Sequence, residues 1–356
     1  MTARPWAELL AWLAAAAGLV GTGILAYFVP SAFPHAWLAA YTTWAGWPLG
    51  CIGLLLIHAL TGGDWGYATR IQLLAGASTL ALLPLGIIPL IFVARDLYPW
   101  LRPDIAAHLN NTFYLNLPAF TGRLIGYFVI WFALAFAILI SLRRGGPSTK
   151  LAWVAPIGLI LLAVTITYAA IDSTMSMEPH FVSSDYGLIT IVGMGLFALS
   201  ISAFAAAIAQ PPASKTLRNI GRLLLALAIF WAYLDFVQLL IIWQSDLPNE
   251  ATWYILRSTG GWGIVAAGIA AGHFFLPFFI LLSPKVQQTR LGIACASAFL
   301  ILSGVVRGWW IIIPESGRGI GASEVLAMVG AAGIAAALAF HAARILRAAA
   351  QVDQYV

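Results

Sequence analysis

Runs of twenty or more apolar residues follow one another along almost the whole chain, separated by short stretches of proline, glycine and charge. A run of that length, wound as a helix, crosses the roughly 30 Å hydrocarbon core of a bilayer. Ten such spans are predicted, at about 7–29, 37–60, 71–95, 119–142, 151–171, 184–209, 219–243, 260–283, 289–313 and 323–347. They are numbered 1 to 10 in chain order. The joins carry turn and charge signals, among them Gly62-Gly63-Asp64, Arg143-Arg144-Gly145-Gly146-Pro147, Gln210-Pro211-Pro212 and Ser283-Pro284-Lys285. A β-barrel would show alternating strands of about ten residues instead. The predicted fold is an all-α polytopic membrane protein, one integral domain over 1–356. The first run, Trp6 to Val29, is longer than the apolar region of a signal peptide and is read as span 1.

Composition strengthens this reading. Of 356 residues, 62% are hydrophobic and 9% charged, with mean hydropathy +0.92, too little charge to cover a water-facing surface. The net charge of +5 sits mostly in short loops, where it sets topology and does not suggest a nucleic-acid partner. On the side of the N-terminus fall twelve basic residues: Arg4, Arg70, Arg143, Arg144, Lys150, Lys215, Arg218, Arg222, Lys285, Arg290, Arg344 and Arg347. The opposite side holds four, Arg95, Arg102, Arg257 and Arg318. This bias predicts that both termini are cytoplasmic. The opposite face is acidic, with Asp96, Asp104, Asp172, Glu178, Asp185, Asp246, Glu250, Glu315 and Glu324 in or beside its loops. Its longest loop, 96–118, carries Tyr98, Trp100 and Tyr114 and is suited to lie on the interface or to dock a partner.

Few ionisable residues lie inside the spans, and each is a functional candidate. Asp235 is about eight residues from the outer end of span 7, roughly 12 Å deep, and Arg307 about six residues from that of span 9, roughly 9 Å deep. The similar depth permits an ion pair if the two spans touch. Gln238 shares the face of Asp235 at i+3. His273 lies near the middle of span 8, and Asp185 near the outer end of span 6. Together they form either a proton path or a structural ion pair beside a carbonyl-bonded histidine, and the sequence leaves both open. Arg123 and Asp172, at the outer ends of spans 4 and 5, either pair or reach to water. His58, at the inner end of span 2, reads as an interfacial histidine before a proton carrier.

Haem b needs two facing axial histidines, and only His273 is well inside. Cys51 and Cys295 each fall in an apolar run and read as small core residues, with no C-x-x-C-H for haem attachment and no metal-ligand spacing. Small-x-x-x-small pairs, Gly268 with Gly272 and Gly304 with Gly308, predict close helix contacts. Arg95-Asp-Leu-Tyr-Pro99 and Ser245-Asp-Leu-Pro248 are four helices apart and hint at a repeat: two four-helix bundles, about 37–171 and 184–313, flanked by 7–29 and 323–347.

The polar hinge Asp172-Ser-Thr-Met-Ser-Met-Glu-Pro-His180, followed by Tyr186-Gly187, joins spans 5 and 6. It resembles the D-x-x-M-S-x-E-P-H…Y-G segment of the ActF family, membrane subunits of alternative complex III, the bacterial quinol:cytochrome c oxidoreductase. Other pieces are similar in the same order. They are Leu56-Ile-His-Ala-Leu-Thr-Gly-Gly-Asp-Trp-Gly66; Tyr114-Leu-Asn116 with Arg123 and Tyr127-Phe128; and Phe230-Trp-Ala-Tyr233 with Gln238 and Leu240-Ile-Ile-Trp243. Leu247-Pro248, Glu250, Trp253-Tyr254, Arg257, His273-Phe274, Pro277-Phe278 and Pro314-Glu315 complete the set, which runs from 56 to 315.

The resemblance implies two NrfD-like bundles in a bacterial inner membrane and no redox cofactor in this chain. Haem c and iron–sulfur clusters belong to partners, a multihaem cytochrome c and an iron–sulfur subunit, and quinol oxidation is assigned mainly to an NrfD-like membrane subunit. It implies a role in proton conduction. The topology places the hinge on the outer side, where Glu178 and His180 read as a proton exit or docking surface. Four features depart from the family pattern: Ser173, Phe181, Asp235, and the run Arg307-Gly-Trp-Trp310 where an Asp before Tyr-Trp is expected. The carboxylate has moved from span 9 to span 7, which leaves open a complete complex or a reduced, related assembly. A free-standing transporter or proton channel, and a purely structural anchor, are the competing readings.

Overall fold

A computed structural model describes residues 5–109, 111–142, 149–209, 211–245 and 247–352. Arg4, Arg143 to Pro147, Gln210 and Asp246, which entered the charge and turn reading above, lie outside them, as does the side chain of Lys150. Among the described residues the regular structure is helical, with no strand. Ten helices are long and apolar enough to cross a membrane: Trp6–Phe28, Phe33–Thr61, Asp64–Phe92, Leu117–Ser141, Leu151–Met177, Tyr186–Ala209, Ser214–Ser245, Trp262–Leu282, Arg290–Ser316 and Ala322–Ala349. The chain is an all-α polytopic membrane protein. An even number of described spans puts the start of span 1 and the end of span 10 at one end of the bundle, the terminal end; the Asp172–His180 segment lies at the other, the hinge end.

The largest boundary difference is at span 3, which starts at Asp64 and not near 71. Gly62 and Gly63, at φ 66° and 101°, reverse the chain within two residues, a conformation that costs a residue with a Cβ. Asp64 then favours the helix start through its charge. The first turns hold Trp65, Tyr67 and Arg70, whose polar tips hide the helix from a hydropathy reading. Two spans are irregular inside. Span 3 tightens to a 3-10 turn at Thr79–Leu82, just before Pro84, which has no N–H to donate. Span 8 widens to a π-helix at Ala270–Phe275, just before Pro277.

Spans 2 and 6 run through the middle. Span 2 packs on spans 3, 5, 6, 9 and 10, and span 6 on spans 2, 5, 7 and 9. Leu38, Ile52, Leu56, Leu196 and Leu199 are fully buried between them and their neighbours. Lipid is as apolar as leucine, so close packing and not the hydrophobic effect holds these helices together. Small residues supply that closeness. Gly308 of span 9 lies against the Thr43 hydroxyl of span 2, and Gly304 faces Phe197 of span 6. Gly272 lies near Ser303, whereas Gly268 has nothing within 4 Å and makes no seam. Span 1 pairs with span 10 through Ala15, Gly18, Gly330 and Gly333. Tyr27, Phe92, Trp153 and Ile264 point outward to lipid.

Cys51 is buried as expected, but Cys295 is exposed on span 9. An apolar run gives no sign of which side meets lipid, so the reading of Cys295 as core is corrected. The long hinge-end loop is also more folded than its composition suggests. Tyr98, Trp100 and Phe120 form one aromatic cluster. The Tyr98 hydroxyl donates to the Ser173 carbonyl at 3.2 Å, and the Trp100 indole to the Ser176 hydroxyl at 3.2 Å. The loop is thereby tied to the hinge, with Phe113 left outward.

Candidate functional site

Three polar clusters sit between the hinge end and the middle of the spans. The first is centred on Asp172, which is buried at the end of span 5. Arg123 of span 4 grips its carboxylate with two donors, Nε at 2.9 Å and a terminal nitrogen at 2.8 Å. The Tyr127 hydroxyl donates a third bond at 2.7 Å. The guanidinium also lies 3.8 Å from the centre of the Tyr114 ring and donates to the Tyr114 carbonyl. The two charges therefore pair and do not reach separately to water. With three donors on one carboxylate, the geometry is that of a fixed anchor.

The second cluster joins spans 7, 8 and 9. Arg307 and Asp235 form an ion pair, with the Asp235 side chain about one third open. The Arg307 guanidinium lies 5.0 Å from the Trp231 ring, whose centre is 4.3 Å from that of His273. Trp231 thus separates the ion pair from the histidine. His273 is buried inside the π-helix of span 8, and its Nδ1 is 2.8 Å from the Ser303 hydroxyl of span 9. That hydroxyl already donates to the Phe299 carbonyl at 2.6 Å. Ser303 has one proton, so it accepts from His273, which assigns the proton to Nδ1. In the neutral ring Nε2 is then an open acceptor. The histidine bonds the Ser303 hydroxyl, with the Leu300 carbonyl of the same helix also beside it.

The third cluster contains Asp185 and Gln238 with Ser183, which the sequence did not single out, and Tyr254, which it marked only within the family-like motifs. The Ser183 hydroxyl lies 2.7 Å from Asp185 Oδ1 and 2.6 Å from the Gln238 amide. The other end of that amide lies 3.0 Å from the Tyr254 hydroxyl. Ser183 can donate only once, so a consistent chain runs from Tyr254 to the Gln238 oxygen, from the Gln238 nitrogen to Ser183, and from Ser183 to Asp185. Burial first, and then the nearby Asp235 charge, push the Tyr254 phenol above its ordinary range, which keeps it a donor. Asp185 Oδ2 is buried with no hydrogen-bond partner among the described residues.

A cavity of about 190 Å³ lies between the first two clusters, mainly apolar, with walls from spans 2 to 9. Asp172 and Tyr127 line it from one half of the chain, Arg307 and His273 from the other. Its walls include Phe197, Trp131 and Trp231.

The remaining candidates lie apart. His58 ends span 2 near the terminal end; its Nε2 is 3.0 Å from the Gly63 carbonyl, and Trp65 and Tyr67 pack edge-on against its ring. It holds the turn between spans 2 and 3. Glu178 accepts from the His180 backbone at 3.2 Å, and the His180 side is exposed. Arg257, counted above as a loop charge, is fully buried. It stacks 3.7 Å from the Trp253 ring, pairs with Glu315 at 2.9 Å, and donates to the carbonyls of Trp253 and Ile311. Burial weakens its hold on the proton, and Glu315 works against that shift. Trp253 stacks in turn on Phe181 of the hinge, with ring centres 4.7 Å apart. This latch fixes helix Pro248–Leu256 between the hinge and span 9. Its signal in the sequence was an arginine flanked by tryptophans within the family-like motif.

Among the described residues, no three His, Cys, Asp or Glu side chains gather as a metal site. No protein-family model matches the chain, and no curated protein matches it.

Proposed function

We propose that this chain is a cofactor-free integral subunit of a quinol:cytochrome c oxidoreductase of the alternative complex III type, or of a reduced relative, and that it contributes a proton path. In this reading it lies in a bacterial inner membrane with both termini cytoplasmic. The ordered set of ActF-like motifs from residue 56 to 315 supports it. The partners are an NrfD-like membrane subunit, a multihaem cytochrome c and an iron–sulfur subunit. They carry the haem c and the clusters, and quinol is oxidised among them.

The observation that carries the proton reading is the Asp235–Arg307 pair in the apolar stretch of spans 7 and 9, one tryptophan away from His273. Ionisable groups at that depth are costly and mark ion routes or relays. In this reading protons pass between Asp185 at the hinge end, the Asp235 carboxylate and the imidazole of His273. Gln238 cannot ionise; it positions Ser183 and Tyr254. The Arg123–Asp172 pair anchors spans 4 and 5. Glu178 and His180 form the exit or docking surface at the hinge end.

The test is the ratio of protons moved to electrons passed, in vesicles holding the purified assembly. Asp235→Asn and His273→Gln are expected to keep quinol oxidation and lower that ratio. An unchanged ratio in both variants leaves the chain as a scaffold. Proton flux through the isolated chain alone would favour a free-standing channel instead.

A further inference from the structure

Span 7 carries its charged residues, Lys215, Arg218 and Arg222, near its terminal end. From Leu223 to Trp243 it is apolar apart from Asp235 and Gln238. That stretch is roughly 30 Å long, the thickness of the hydrocarbon core, and Asp235 lies roughly 12 Å from its hinge-end limit. The buried face of the helix is Trp231, Leu234, Gln238 and Ile242. Asp235 stands at the edge of that face. Next to it around the helix come Leu239, Trp243 and Phe236, which are 40%, 74% and 59% exposed. The Asp235 side chain is itself 31% exposed. Among the described residues its only hydrogen-bond donor is Arg307, on Oδ1, so Oδ2 has none.

A part-exposed carboxylate at this depth of an apolar stretch, with one oxygen lacking a donor, is costly. We infer that the Asp235, Phe236, Leu239 and Trp243 stripe is an intersubunit face, covered by a transmembrane helix of a different chain that presents a hydrogen-bond donor to Asp235. The donor is a Ser, Thr, Asn, Gln, Trp or Lys side chain. A second copy of this chain fits poorly. Symmetric pairing along the stripe would set Asp235 against Asp235, two acceptors of like charge with no donor between them. The inference rests on the reading of this chain as one subunit of a larger membrane assembly, but not on which assembly.

The test places a photo-crosslinking amino acid at Phe236 or at Leu239 in native membranes, with Phe136, exposed on span 4, as the control position. The expected product is an adduct to one other membrane protein from positions 236 and 239 and not from 136. The crosslinked peptide should be an apolar span with a donor side chain within one turn. In Asp235→Asn the adduct should persist, since the amide oxygen still accepts. In Asp235→Leu its yield should fall about tenfold or more, the effect of losing a hydrogen bond to a charged group. If Asp235→Leu fails to accumulate because Arg307 is stranded, the double variant Asp235→Leu/Arg307→Leu removes both charges and gives the same readout. Adducts only to lipid, adducts to a second copy of this chain, or a yield indifferent to Asp235→Leu would each overturn the inference. Lipid-only adducts within a haem-containing assembly sink this face alone. A donor-bearing partner in an assembly without haem sinks the respiratory reading and keeps the face.

Discussion

Replacing Asp172 with Asn should be among the most damaging single changes in the first half of the chain. The carboxylate accepts two bonds from Arg123 and one from Tyr127, all at 2.7 to 2.9 Å. An amide loses the charge and one acceptor, and it leaves Arg123, 19% exposed, without its counter-ion. Stranding one member of a buried pair costs about 3–5 kcal/mol. Tyr114 softens that cost here, because its ring lies under the guanidinium and its carbonyl accepts from it; such a contact offsets about 1 kcal/mol. The expected loss for Asp172→Asn is therefore about 3 kcal/mol. Equilibrium unfolding in mixed micelles, titrated with a denaturing detergent, reads it directly. The paired variant Arg123→Leu/Asp172→Leu removes both charges and should cost less than the sum of the single Leu variants by about 2 kcal/mol or more. A cost under about 1 kcal/mol for Asp172→Asn, or strictly additive Leu variants, would refute the anchor.

Other changes probe different parts of the fold. Glu315→Gln should loosen the Arg257 latch, seen as faster proteolysis within 247–260 while the ten spans stay protected. Gly308→Val should separate spans 2 and 9, since no side chain fits against Thr43, and cost about 1–3 kcal/mol through overpacking; the same detergent titration measures it. Ser303→Ala removes the acceptor of His273 Nδ1 and should cost about 1 kcal/mol while freeing the ring to turn. Nitrogen-15 imidazole spectra should then show a mixture of tautomers where the native protein shows the Nδ1-protonated form.

The fold class was legible because a bilayer constrains composition so strongly. Twenty apolar residues in a row have few uses, and ten such runs leave little choice. Span 3 shows the limit. Its first turns carry Trp65, Tyr67 and Arg70, side chains that sit at an interface and hide a helix from any hydropathy reading. The Asp235–Arg307 pair was legible for the opposite reason: charges are so rare within apolar runs that two at similar depth invite pairing. Ser183 and Tyr254 were not, because hydroxyls near span ends are common and their value lies in what they face. Arg257 looked like a loop charge; only the surrounding Trp253, Glu315 and Ile311 carbonyl reveal it as a buried latch. The apolar cavity was illegible too, since it is made of gaps between eight spans and not of any residue pattern.

The central claim is that this chain works as a subunit of a quinol-oxidising assembly whose redox centres lie in other chains. Purification of the tagged chain from its native membrane in mild detergent, followed by haem staining and mass spectrometry of the intact particle, tests it most directly. The account predicts co-purification, in fixed ratio, of a multihaem cytochrome c, an iron–sulfur subunit and an NrfD-like membrane protein. A stable particle made of this chain alone, without haem stain, would contradict it.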